Sequence, residues 1–119
     1  MSTHEIHIEQ LEIFARVGVT ENERAQPQRL TVTITAWPRV ALEELRDDIA
    51  QAVNYSTVCA ASRDFMRERS YKLIETFATE LASHLLKTFP IEQIRIELRK
   101  FVVPDTQHVS VTVTRSASG

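Results

Sequence analysis

Four short runs of period-2 alternation, split two and two by a pair of helical patterns, restrict this chain to very few architectures. Residues 5–17 open with Ile6 and Ile8 alternating with Glu5, His7 and Glu9. The apolar parity then moves to Leu11, Ile13, Ala15 and Val17, a change of phase that predicts a β-bulge near Glu9 and Gln10. Over 29–37, Leu30, Val32, Ile34 and Ala36 face one way and Thr31, Thr33 and Thr35 the other. Pro38 ends that strand. Residues 41–52 are mixed and acidic, with room for a helical turn. A helix is predicted over 56–69, with Val58, Ala61 and Phe65 on one stripe. A second, broader apolar stripe runs over 72–87, and Pro90 closes it. Ile94, Ile96 and Leu98 define a strand over 91–100, and Val109, Val111 and Val113 define the last one.

The order is ββααββ. Four antiparallel strands with one apolar face under two helices make an α+β sandwich, a single domain over residues 1–119. Such a sheet has two open edges. Its outer face is rich in Thr and Ser, which suits the lining of a closed ring of subunits, so a cyclic oligomer is expected. The connection from Gly18 to Gln28 is too long for a tight hairpin, and loops of that length tend to carry function.

Glycine narrows the chemistry. The chain has two, Gly18 and Gly119, whereas dinucleotide fingerprints and P-loops need several so that backbone can approach phosphate. A net charge of -2 argues against nucleic acid and anionic membranes as partners. No apolar run approaches the ~20 residues of a membrane helix. Met1 to Glu9 lacks the apolar core of a secretory signal, so a cytoplasmic location is expected. The single cysteine, Cys59, allows no internal disulfide and reads as a buried, inert thiol. His4 and His7 point to opposite faces of a strand, and His84 and His108 lie elsewhere, so no zinc site is expected.

Several segments, in order along nearly the whole chain, resemble the dihydroneopterin aldolase family. They are Gly18-Val19-Thr20-Glu21-Asn22-Glu23-Arg24 followed by Gln28, then Asp47-Asp48-Ile49 and Val53-Asn54-Tyr55. Lys72-Leu73-Ile74-Glu75-Thr76-Phe77-Ala78 is similar to the family's helix start, and Lys100 and Arg115 end the third and fourth strands. The resemblance implies the tunnelling fold, with subunits in rings of four, often stacked as an octamer, and sites at subunit interfaces. It implies retro-aldol cleavage of dihydroneopterin to hydroxymethyl-dihydropterin and glycolaldehyde, without metal or cofactor.

The resemblance also assigns roles. Glu75 would anchor the pterin, since a carboxylate accepts from two parallel N–H donors at once. Leu73 and Ile74 would lie against the ring. Lys100 would be catalytic; its parity with Ile94, Ile96 and Leu98 sends its side chain to the covered face, where a partly desolvated lysine can serve in proton transfer. Tyr55 would share in proton transfer at the ring, and Glu23, with Glu21 second to it, would meet the substrate's hydroxylated side chain. Gly18 is expected to supply a positive φ to the turn. The family's proline after the lysine is missing, and the loop from Phe101 to His108 lacks glycine. That leans toward the sister epimerase acting on dihydroneopterin triphosphate, but Arg24 and Arg29, the cations available for a triphosphate, form no obvious cluster, and the aldolase stays ahead of it. A non-catalytic pterin- or purine-binding ring is the other alternative.

Overall fold

The computed structural model describes residues 2–117. The elements are β1 (Ile6–Val17), α1 (Glu21–Arg24), β2 (Gln28–Pro38), α2 (Tyr55–Arg67), β3 (Ser70–Tyr71), α3 (Ile74–Thr88), β4 (Ile91–Lys100) and β5 (Val109–Ser116). Short 3-10 turns at Leu42–Glu44 and Ile49–Gln51 fill the acidic stretch between β2 and α2.

The ββααββ order holds, and the four long strands pair antiparallel, but the sheet has five strands in the order β3-β1-β2-β4-β5. The added strand, β3, is parallel to β1, with Arg16 opposite Ser70 and Val17 opposite Tyr71. Two residues are too few to show a period, so Ser70 and Tyr71 stay unassigned between the helical patterns over 56–69 and 72–87. Likewise α1 lies inside the stretch that reads as loop; four residues show no amphipathic stripe.

The bulge lies where the phase change puts it. Ile8 pairs with Ile34 and Leu11 with Val32, so β1 carries one extra residue there. Gln10 takes a φ of 48°, and its N–H donates to Thr33 Oγ1 at 3.1 Å. The bulge turns Leu11, Ile13, Ala15 and Val17 onto the covered face, all of them buried. Leu30, Val32, Ile34, Ile94, Ile96 and Leu98 complete that face. From above, α2 buries Val58, Phe65 and Met66, and α3 buries Phe77, Ala78, Leu81, Ala82 and Leu85. Each large side chain removed from water here contributes about 1.5–3 kcal/mol. Ser62 is tolerated in this core because its hydroxyl donates to the Val58 carbonyl at 2.8 Å. Cys59 is partly buried and unpaired. No helix among the described residues is long and apolar enough to cross a membrane.

Candidate functional site

One end of the sheet gathers the end of β1, the start of β2 and the end of β4. Lys100 closes the β2–β4 ladder opposite Leu30, so it leaves the sheet on the covered face as its parity requires. Its side chain is only 17% exposed, and its Nζ lies 3.6 Å from Glu23 Oε2. That is an ion pair rather than a direct hydrogen bond.

Glu23 is held by a local device. Thr20 is the N-cap of α1; its hydroxyl oxygen accepts from the Glu23 N–H at 3.1 Å, and its own N–H donates to Glu23 Oε1 at 3.4 Å. This capping box satisfies two orphan donors of a helix too short to persist alone. The Thr20 backbone N–H, and then the Lys100 charge, hold the Glu23 carboxyl below its ordinary range, so it stays ionised. Thr20 is absent from the residues predicted for the site, although Thr-x-x-Glu is a readable signal. Gly18 does have a positive φ, at 159°, but this borders the extended region, and space is what demands glycine there. A Cβ at Gly18 would lie 2.3 Å from the Glu23 Cβ.

The same end receives the start of α3. Pairing of Val17 with Tyr71, and donation of the Gly18 N–H to the Tyr71 carbonyl at 3.1 Å, bring the backbone to Leu73 beside the Gly18 turn. Leu73 is the α3 N-cap and stays 47% exposed; Ile74 is buried behind it. Glu75 is exposed in the first turn of α3. Its carboxylate makes no hydrogen bond or ion pair among the described residues, and the helix N-terminus favours its negative charge. Lys100, Glu23, Glu75, Leu73 and Ile74 therefore share one end of the fold.

Tyr55 does not join them. It is the first residue of α2, 62% exposed, following the N-cap Asn54. Arg63 and Arg67, later in α2, reach the level of Glu12–Phe14 on β1. The backbone then passes through β3 before arriving at Gly18. Tyr55 lies a further ~18 Å back from Arg67 along the helix. Within the chain, Tyr55 and Lys100 stand at opposite ends.

The cations weighed for a triphosphate are engaged elsewhere. Arg24 Nη1 donates to the carbonyls of Gly18 at 2.7 Å and Val19 at 3.0 Å. Arg29 pairs with Glu12 at 2.7 Å and lies over the Phe101 ring at 4.6 Å. Among the histidines, His7 contacts Thr35 and Glu9, His84 stacks on Phe65, and His108 meets the edge of Phe101. Among the described residues, no three His, Cys, Asp or Glu side chains are grouped to hold a metal.

A family model described as dihydroneopterin aldolase (FolB) matches residues 6–114. A Haemophilus influenzae dihydroneopterin aldolase is 30% identical over 112 residues, covering 92% of this protein and 94% of its own length. A Bacillus subtilis dihydroneopterin aldolase is 28% identical over 117 residues, covering 95% and 98%. Among solved structures, Escherichia coli dihydroneopterin aldolase in complex with neopterin superposes with a TM-score of 0.87 at 26% identity, over 95% of this protein and 99% of that one.

Proposed function

The chain belongs to the dihydroneopterin aldolase family, and on that premise we propose that it cleaves dihydroneopterin to hydroxymethyl-dihydropterin and glycolaldehyde as one catalytic domain. The observation that carries this reading is the Glu23–Lys100 pair at 3.6 Å, at the sheet end that also receives the start of α3 with Glu75. In this reading Glu75 accepts two parallel N–H donors from the pterin ring, and Leu73 and Ile74 lie against the ring. Ionised Glu23 orients the hydroxyls of the substrate's side chain. Lys100, in its neutral amine form, takes through a bound water the proton from the hydroxyl whose carbon becomes the aldehyde.

The carbon–carbon bond of the substrate's side chain then breaks, and its electron pair passes into the adjacent ring C=N. Because the substrate is its own electron sink, the reaction is proposed to need neither metal nor cofactor. Tyr55 assists as the enol-like intermediate is reprotonated at the carbon attached to the ring. Since Tyr55 sits at the far end of its own subunit, a neighbouring subunit supplies it, in a ring of four or a stacked pair of rings. The proposed location is the cytoplasm, where an unpaired thiol such as Cys59 is kept reduced.

The engagement of Arg24 with carbonyls and of Arg29 with Glu12 supports the free compound over its triphosphate as substrate. The test is to incubate the purified protein with each and to follow pterin products by chromatography with a glycolaldehyde assay. Hydroxymethyl-dihydropterin and glycolaldehyde from the free compound are expected. Epimer formed only from the triphosphate would move the assignment to the sister epimerase. Binding of both without turnover would move it to a non-catalytic ring.

A further inference from the structure

Glu23 belongs to a helix of four residues, which has no stability of its own to hold a side chain in place. Two arginines tie down that segment. Arg24 reaches back past the N-cap to the Gly18 and Val19 carbonyls, at 2.7 and 3.0 Å. Arg16, on β1, donates to the Arg24 carbonyl at 3.3 Å and to the Ala25 carbonyl. One guanidinium thus closes the entry of the turn on itself, and the other fastens its exit to the sheet. Backbone carbonyls otherwise left to water become fixed points on both sides of Glu23.

We propose that Arg24, supported by Arg16, is a positioning residue for the retro-aldol reaction, clamping the turn so that the Glu23 carboxylate stays opposite Lys100. The inference rests on the aldolase reading. It gives Arg24 a role as an internal strut rather than as a cation facing substrate. Arginine suits the task because the two N–H donors of Nη1 lie in fixed directions in the guanidinium plane, one toward each carbonyl, which a freely rotating lysine ammonium matches only in part.

The test compares wild type, Arg24→Gln, Arg24→Lys, Glu23→Gln and the Arg24→Gln/Glu23→Gln double variant. Steady-state kinetics with dihydroneopterin, calorimetric binding of neopterin, and an NMR titration of the Glu23 carboxyl group are the readouts. Arg24→Gln is expected to lower kcat about tenfold, as misplacement of an orienting group does, while neopterin affinity changes by less than about twofold. Arg24→Lys should recover part of the loss. The double variant should be no slower than Glu23→Gln, because both changes remove one function. In Arg24→Gln the Glu23 titration should move up toward the ordinary carboxylate range as its Thr20 partner drifts. Independent, multiplying losses in the double variant, or an unmoved Glu23 titration, would overturn the clamp. If wild type binds neopterin but turns over no dihydroneopterin, the aldolase reading fails, and the Glu23 titration still decides whether Arg24 sets the turn.

Discussion

The two ends of this domain solve the placement of a side chain in opposite ways. At the Lys100 end, a glutamate of the one-turn helix α1 is held by the N-cap of that helix and by arginine bonds to the surrounding carbonyls, and it meets a lysine anchored in the ladder. At the Tyr55 end, the helix is well started, with Asn54 Oδ1 accepting from the Ser56 and Thr57 N–H groups, yet the tyrosine points to no partner among the described residues and is 62% exposed. One end is preorganised by the chain itself. The other leaves a large side chain exposed. Local hydrogen bonding can thus fix a side chain at one end of a fold and leave one free at the other.

The largest effect that would test this contrast is at Lys100. Lys100→Ala is expected to lower kcat by about 10²–10⁴, the usual worth of a positioned acid or base, with neopterin affinity nearly unchanged. Equal losses of kcat and affinity would place Lys100 among the binding groups. Next is a subunit-mixing experiment. Preparations of Lys100→Ala and Tyr55→Phe, each weakly active, are unfolded together and refolded as mixed rings. Random equal mixing leaves about one quarter of interfaces with both native residues, so about a quarter of wild-type activity should return. No recovery would mean that Tyr55 acts on its own subunit's site.

A smaller effect is expected at Gly18. With the Glu23 Cβ 2.3 Å from the position a new methyl group would take, Gly18→Ala must displace the turn. Overpacking of this kind costs about 1–3 kcal/mol, measurable by urea melts, and kcat should fall while the Tyr55 end keeps its fold. The smallest effect is on pH. The Glu23 carboxyl is depressed, chiefly by the Thr20 backbone N–H, so its hold on the turn is complete above the ordinary carboxylate range and is lost as pH falls through the lowered value. The Thr20 amide resonance should therefore titrate below the ordinary glutamate range, with little change in global stability. An amide that titrates at or above that range would contradict the hydrogen bond.

Much of this is legible in the residues, though unevenly. Alternation exposes the covered face of every long strand, and the parity slip between Ile8 and Leu11 marks the bulge because a period of two tolerates no insertion. The Thr20-x-x-Glu23 pattern spells out the cap of α1, but a four-residue helix leaves no stripe to support it. β3 is hidden for a related reason, its two residues becoming a strand only when Arg16 and Val17 lie beside them. Arg24 and Arg29 look like cations open to a phosphate because a sequence names charges and not the carbonyls or carboxylates they meet.

What the sequence alone determined is what depends on near neighbours: the strands, the two long helices, their buried faces and the ordered set of segments that resemble one family. Only the tertiary structure decided that Lys100 meets Glu23, that β3 brings Leu73 and Glu75 to the same end, and that Tyr55 is left at the other. The reason is that periodicity is a property of the local backbone, whereas distance between remote residues is set by strand register and by the direction in which each helix crosses the sheet.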